Sequence, residues 1–402
     1  MFRHLAPAGN TINAHELVRA CLAMFSADSP AVFTRKLTTL LNVRHCFLTS
    51  SGTAALYLSL VSLRKLAGNN EVVFPAYTCP SVLAAVIRAG LKPVLCDLNR
   101  TTSTMDLGDL AGKINPDTLA VISVHLFGIP DDCERINELA SSRGLFHIED
   151  AAQSFGLAAT DHQHIERSGR FSDVVIVSFG RGKPLSLLQG GALLTDSDAI
   201  AEAVREEMRG LRRQDAVDTA RLVLQSMIYV FFFHPRAYWI ARLMPFLKLG
   251  KNIFDPDFQV QEINPFTCAL GNMLIDRLPR IIMSRRHKKN LLLQGLSHSN
   301  DIVLAGSQDS ESLIRFPLVI ENHEQRERIL SKLEQYGLGA TSMYEAPLHL
   351  FKDTKQYFPG AVFPNAQSFA ERILTLPLHE YVTARDIGAT SSIISQACNK
   401  IH

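Results

Sequence analysis

Asp173-Val-Val-Ile-Val-Ser-Phe-Gly-Arg-Gly-Lys-Pro-Leu-Ser-Leu-Leu-Gln-Gly-Gly-Ala-Leu-Leu-Thr195 holds the reading on which the fold turns. It begins with an unbroken apolar run, Val174 to Val177, as expected of a strand buried on both faces of a parallel sheet. A second run, Ala192 to Leu194, reads as another strand. Between them lies one lysine, Lys183, flanked by Gly182 and Pro184, in a loop with little capacity for helix. An amine held at a sheet end and partly out of water loses basicity and can attack aldehydes. The same residues also suit an ordinary solvated loop lysine.

Working outward, strands alternate with helices. A short apolar segment enters Ser50-Ser51-Gly52-Thr53 and then an apolar helix to about Leu66. Free N–H groups and hydroxyls at such a helix start bind an anion such as phosphate, or form a plain N-cap. Strands follow at Val72–Phe74, Pro93–Asp97 and Leu119–His125, and Leu145–Asp150 ends in two carboxylates, Glu149 and Asp150. This rhythm predicts a mostly parallel α/β sheet, with function gathered at the strand ends. Asp150 sits at such an end, where a carboxylate can meet a metal, a ribose hydroxyl or a protonated ring nitrogen. Without nearby Cys or spaced His partners the pair is a poor metal site, and no metal is expected. A Gly-x-Gly-x-x-Gly after the first strand and a Walker lysine loop are both missing.

The chain of 402 residues is 47% apolar and 20% charged with a net charge of +2, enough for a large unit and a smaller one and too balanced for a nucleic-acid surface. Its seven scattered cysteines lack any Cys-x-x-Cys pair, which suits a reducing compartment. The N-terminus shows no signal-peptide pattern, so a cytoplasmic location is expected. Residues 1–250 are assigned to the large domain and 251–402 to a small C-terminal α+β domain. Within the first, Arg221 to Gly250 is strongly apolar, interrupted at His234-Pro235 and flanked by Arg236, Arg242, Lys248 and Lys251. Neither half reaches the roughly 20 residues of a bilayer span. The segment reads as a buried or dimer-interface helical hairpin, with a peripheral membrane contact as the alternative. A helical pattern from Asn264 to Leu296 is expected to kink or break at Pro279.

An anion cradle at Gly52 and Thr53, a second hydroxyl at Ser178, a carboxylate at Asp150 and an amine at Lys183 thus share one sheet. A cofactor with a phosphate, a basic ring nitrogen and an aldehyde needs those groups, and pyridoxal 5'-phosphate (PLP) has all three. The ordered motifs match this reading: Ser-Gly-Thr-Ala-Ala-Leu at 51–56, Pro-Ala-Tyr-Thr at 75–78, Val-His-Leu-Phe-Gly at 124–128, Glu-Asp-Ala-Ala-Gln at 149–153, and Ser-Phe at 178–179 with Lys183. They continue as Gly-Gly-Ala at 190–192, Ala-Leu-Gly at 269–271, Tyr-Glu-Ala-Pro-Leu-His at 344–349 and Leu-Pro-Leu-His at 376–379.

With these motifs, over nearly its whole length, the chain resembles the DegT/DnrJ/StrS family of PLP-dependent sugar aminotransferases, a branch of fold type I. The resemblance implies a homodimer that moves an amino group, most simply from glutamate, to a keto-sugar on a nucleotide carrier for glycan or polysaccharide assembly. It implies that Lys183 forms the Schiff base and shuttles the proton, and that Asp150 pairs with the ring nitrogen. Gln153 would contact the ring, and Gly52, Thr53 and Ser178 would hold the phosphate. His125, Tyr344 and His349 match family positions too, either as substrate contacts or as packing residues. Arg181, or the arginines near 280, are further candidates for the sugar's pyrophosphate. Two departures stand out. Cys79 occupies the position where members carry a stacking aromatic ring, and Val260 and Glu262 replace an Asn-x-Arg-like pattern that reaches across the dimer. A PLP-dependent sugar dehydratase is the alternative reaction, although such members tend to carry histidine at the position of Lys183. A non-catalytic scaffold on the same fold is the third reading.

Overall fold

In a computed structural model the chain is described over residues 3–156, 169–243, 253–297, 302–305 and 313–398. After an irregular arm, Asn13 and Glu16 form a reciprocal capping box that starts helix α1 (Ala14–Ala23), and α2 (Ser29–Leu41) carries proline in its first turn. The alternation then runs β1 (His45–Thr49), α3 (Gly52–Ala67), β2 (Glu71–Pro75), α4 (Pro80–Arg88), β3 (Lys92–Cys96), α5 (Leu107–Lys113), β4 (Thr118–Val124), α6 (Cys133–Ser141) and β5 (Phe146–Asp150). It closes with β6 (Val174–Ser178), β7 (Gly191–Thr195) and α7 (Asp198–Met208). The strand order is β1-β7-β6-β5-β4-β2-β3. β7 alone runs against its neighbours β6 and β1; the other pairs are parallel. Every residue of β2, β4, β6 and β7 is buried, as their continuous apolar runs require of a sheet covered on both faces.

The apolar segment forms α8 (Ala216–Phe233), opened by an Asp215–Asp218 capping box, and α9 (Pro235–Arg242), with the break at His234-Pro235. Residues 244–250, with Lys248, and Lys251 lie outside the described residues. Helix α8 is not buried: Val217, Leu224, Met227, Ile228 and Phe231 are exposed, and only Leu222, Ser226 and Phe233 are enclosed. It is the one helix among the described residues long and apolar enough to cross a membrane by length and composition.

Next come α10 (Pro265–Leu274) and α11 (Leu278–Leu296). The expected break falls just ahead of Pro279, in a 3-10 turn at Ile275–Arg277, so the proline enters the first turn of α11, where its missing N–H costs nothing. Helix α10, which a division at 250/251 places in the smaller unit, packs on α1 and α2 around Phe33, Leu37 and Leu270. The smaller sheet is antiparallel, in the order β10-β9-β8, from β8 (Ile302–Leu304), β9 (Arg315–Ile320) and β10 (Ile373–Pro377). Helices α12 (His323–Gln335), α13 (Pro364–Arg372) and α14 (Ala384–Cys398) complete it. Apolar side chains of both sheets, including Phe74, Leu95, Phe316 and Leu374, share one core.

Candidate active site

The functional side chains gather because the strands that carry them end on one side of the large sheet. Register aligns Val124 and Asp150, at the carboxyl ends of β4 and β5, with Ile176 in the middle of β6. Ser178 and Thr49 both lie opposite Gly191 of β7. Each of those strands therefore delivers its next residues to the same edge: Ser51 to Thr53 after β1, Cys79 after β2, His125 after β4, and Lys183 after β6.

At the phosphate end, Ser51 caps α3 by accepting from the Ala54 N–H at 3.0 Å. Gly52 lies so close to β6 that a Cβ on it would come 2.8 Å from Ser178 Cβ. Gly191 meets the Gly52 amide region still more tightly, with 2.4 Å between a built Cβ and the Gly52 nitrogen. Two glycines are thus required to bring a helix N-terminus and the Ser178 hydroxyl around one small space. Beside this cradle lies a cavity of about 550 Å³ lined by Ser51, Thr53, Ser81, Gln189, Arg221 and Gln261, within the usual size of a small-molecule site.

At the ring end, the Asp150 carboxylate keeps a partial opening. Burial pushes its pKa up, while the Lys183 charge and the Ala152 N–H, donating at 3.0 Å, hold the ionised form. Lys183 is therefore near enough for its charge to act on Asp150, without forming an ion pair with it. Gln153 is oriented by the Phe127 N–H, which donates to its Oε1 at 3.1 Å from a backbone with φ of 62°. Its amide donates to the Tyr344 hydroxyl at 3.4 Å. That phenol is driven well above its ordinary pKa by burial and by the neighbouring Cys79, Tyr77 and Asp150, so it stays a neutral donor. Gln153 and Tyr344 thus join the group around Asp150.

His125 lies behind the carboxylate. Its ring meets Ser154 Oγ at 2.8 Å and Cys133 Sγ at 3.3 Å, and Glu149 stands 3.8 Å away. Burial lowers its pKa to about 4, so it is neutral at physiological pH. His125, Cys133 and Glu149 would place three donors within 4.8 Å. Both ring nitrogens are engaged, however, and Glu149 accepts from the Gly169 N–H at 3.0 Å, so the cluster is a hydrogen-bonded buttress under Asp150. The other candidates lie elsewhere. His349 is buried against Phe363, within reach of the Asp97 charge. Arg181 is exposed, and its charge acts on Tyr229 of α8. Cys79 starts α4 with its thiol 3.3 Å from Ser81 Oγ and places no ring over the site. Glu262 pairs with Arg213 at 3.2 Å in its own chain, and the Ser50 N–H donates to the neighbouring Gln261 carbonyl at 2.9 Å.

The residues present fit PLP: a cradle that one extra methyl group on Gly52 would fill, and the carboxylate of a half-buried Asp150 within reach of the charge of one lysine. A fold with a β7-reversed parallel sheet and this site defines a PLP-dependent transferase of fold type I. The sequence profile of the DegT/DnrJ/EryC1/StrS aminotransferase family matches residues 24–394, and the chain belongs to that family. It is an aminotransferase, and its cofactor is pyridoxal 5'-phosphate.

Among relatives, it is 30% identical over 348 residues to the GDP-perosamine synthase of Vibrio cholerae, spanning 86% of this chain and 84% of that one. It is 27% identical over 333 residues to dTDP-4-dehydro-2,3,6-trideoxy-D-glucose 4-aminotransferase of Saccharopolyspora spinosa, spanning 82% and 78%. Among solved structures, Helicobacter pylori PseC, an aminotransferase of pseudaminic acid biosynthesis, superposes with a TM-score of 0.79 at 18% identity, covering 99% of this chain and 100% of that one. Bacillus subtilis NtdA with bound PMP gives 0.75 at 20%, covering 97% and 83%. At these identities the superpositions establish the fold.

Proposed function

We propose that the enzyme transfers an amino group from glutamate to the carbonyl of a nucleotide-linked keto-sugar, and that its product enters glycan or polysaccharide assembly. The observation that carries this reading is the placing of Asp150, within reach of the Lys183 charge, on the same sheet edge as the Gly52–Ser178 cradle, together with relatives named for a dTDP-linked sugar aminotransferase and a GDP-perosamine synthase. When bound, PLP supplies an aldehyde for amines and a ring that accepts electrons from the carbon being deprotonated. The chain's own groups set the rest. The N–H groups opening α3 and the Ser178 hydroxyl hold the phosphate. Asp150, kept ionised by Lys183 and the Ala152 N–H, holds a proton on the ring nitrogen. Lys183 would hold the cofactor's aldehyde, and its amine would carry the proton at the reacting carbon. Gln153 and the neutral Tyr344 phenol orient what lies over the ring, and the closed buttress behind Asp150 excludes water.

In this reading the protein is a cytoplasmic homodimer, and the exposed α8 stripe of Leu224, Ile228 and Phe231 meets a second copy. The nearby exposed Leu22 on α1, which contacts α8, and Phe25 just beyond it extend the apolar area. A contact with a membrane surface is the outcome that would replace it.

Incubation of the PLP-loaded enzyme with glutamate and a panel of nucleotide-linked 4-keto-sugars tests the activity. Formation of 2-oxoglutarate and an amino-sugar in equal amounts is expected. Loss of oxygen from the sugar without gain of nitrogen would identify the dehydratase instead.

A further inference from the structure

The N-terminal arm contains one side chain whose every polar group is engaged, and it lies next to the catalytic loop. Asn10 is 2% exposed. Its Nδ2 donates to the Pro184 carbonyl at 2.6 Å, one residue from Lys183. Its Oδ1 accepts from Arg285 Nη2 at 2.5 Å. Its backbone N–H and carbonyl both meet the Tyr229 hydroxyl of α8, at 3.3 and 2.9 Å. Three elements far apart in sequence, α8, α11 and the loop after β6, therefore converge on one asparagine.

The surroundings hold this residue in place. Gly9 has φ of 147°, and a Cβ there would sit 2.5 Å from the Phe233 ring, so the arm is threaded tightly against α8. A built Cβ on Gly182 would come 3.3 Å from the Ala8 methyl, so the arm also lies along the lysine loop. The Ser186 side chain of that loop also lies near the Tyr229 hydroxyl and donates to the Gly180 carbonyl at 3.3 Å. Arg285 is itself 2% exposed, and among the described residues its Nε and Nη1 have no hydrogen-bond partner. A buried guanidinium in that condition depends on the contact it does make with Asn10 and the Gly9 carbonyl. The charges facing it are Lys288 on its own helix and Glu380 beyond β10.

The lysine loop has its own internal closure. Lys183 N–H donates to Gly180 at 3.3 Å, and Leu187 N–H to Phe179 at 2.8 Å. The first bond turns the chain at Lys183 and the second closes the loop's base. Neither engages the Pro184 carbonyl, which is held by Asn10 from outside the loop. We infer that Asn10 is a positioning residue for Lys183: by holding the Pro184 carbonyl against Tyr229 and Arg285, it sets where the lysine amine stands relative to the cofactor. This rests on Lys183 being the cofactor lysine.

Asn10→Asp separates positioning from folding. It keeps the volume and strengthens the pairing with Arg285, but it removes the donor to Pro184. The PLP-loaded protein is titrated by absorbance against pH, and kcat and KM for glutamate and the melting temperature are read on the same samples. Relative to wild type, the expected result is a shift of about half a unit or more in the pH midpoint of the cofactor band. A fall in kcat of about five- to ten-fold, the size of one lost hydrogen bond, should accompany it, with KM within about two-fold and the melting temperature retained. A wild-type midpoint and kcat would overturn the inference. So would a loss of activity that only follows a loss of melting temperature. If Asn10→Asp does not accumulate folded, Tyr229→Phe carries the test, because it leaves Asn10 in place and removes the hydroxyl that braces it. A smaller shift in the midpoint then supports the inference, and an unchanged midpoint overturns it. Wild type and Lys183→Ala run alongside: a wild-type protein with no lysine-dependent band would defeat the assignment of Lys183 itself, an outcome distinct from the failure of Asn10.

Discussion

At the residue scale the site is decided by close approach. Gly52 is the clearest case, because a methyl group there would enter the Ser178 side chain and fill the phosphate space. Gly52→Ala is expected to weaken PLP binding by about ten-fold or more, the usual order for overpacking by one carbon, with little change in melting temperature; a fluorescence titration of apoprotein with PLP reads this. His379 makes a second prediction. Burial and the Lys288 and Arg285 charges hold its pKa down at about 3, against the bond to the Ala6 carbonyl at 2.8 Å. Between that value and about 6.5 the unfolded chain binds a proton that the folded chain does not. Its contribution is therefore complete above about pH 6.5 and is lost as pH falls toward 3. Urea unfolding across that range is expected to show stability falling with acid, and His379→Gln to flatten the slope. Lys183, Asp150, Gly52 and Ser178 were legible in the sequence because each stands within a few residues of an apolar strand end. Asn10, Tyr229 and Arg285 were not: Asn10 and Arg285 are 275 residues apart, and no local pattern links them.

At the element scale, the strands and long helices follow from their apolar periodicity, and the missed pieces have physical reasons. Helix α5 is seven residues with two glycines, and it is held by the Asp106 cap rather than by propensity. Helix α13 is nine residues long and is pinned by Asp97, which accepts from the Asn365 and Ala366 N–H groups at 3.1 and 2.8 Å. The apolar run of α8 was legible, but its exposure was not, since composition does not say which neighbour covers a face. Replacing Leu224 and Phe231 together by aspartate should leave each chain folded, because neither side chain is buried within its own chain. Sedimentation is expected to show the dimer weakened. A dimer that persists while the protein loses binding to anionic vesicles would assign the face to lipid.

At the scale of the whole molecule, the N-terminal arm ties the two sheets together. Arg3 pairs with Asp386 of α14 at 2.5 Å, the His4 N–H donates to Pro235 at 2.9 Å, and the Leu5 N–H donates to Gly337 at 2.8 Å. The arm then passes the lysine loop at Ala8 and Asn10. Arg3→Ala should therefore lower global stability by about 1 kcal/mol, a part-buried ion pair being lost, without moving the absorbance of bound PLP.

The central claim is that Lys183 holds PLP in a working aminotransferase. Its most direct test is the absorbance spectrum of the purified protein with PLP, before and after glutamate, beside Lys183→Ala. The account predicts a band that requires Lys183 and that glutamate converts to that of the amine form of the cofactor. A spectrum identical in wild type and Lys183→Ala, with no change on adding glutamate, would contradict it.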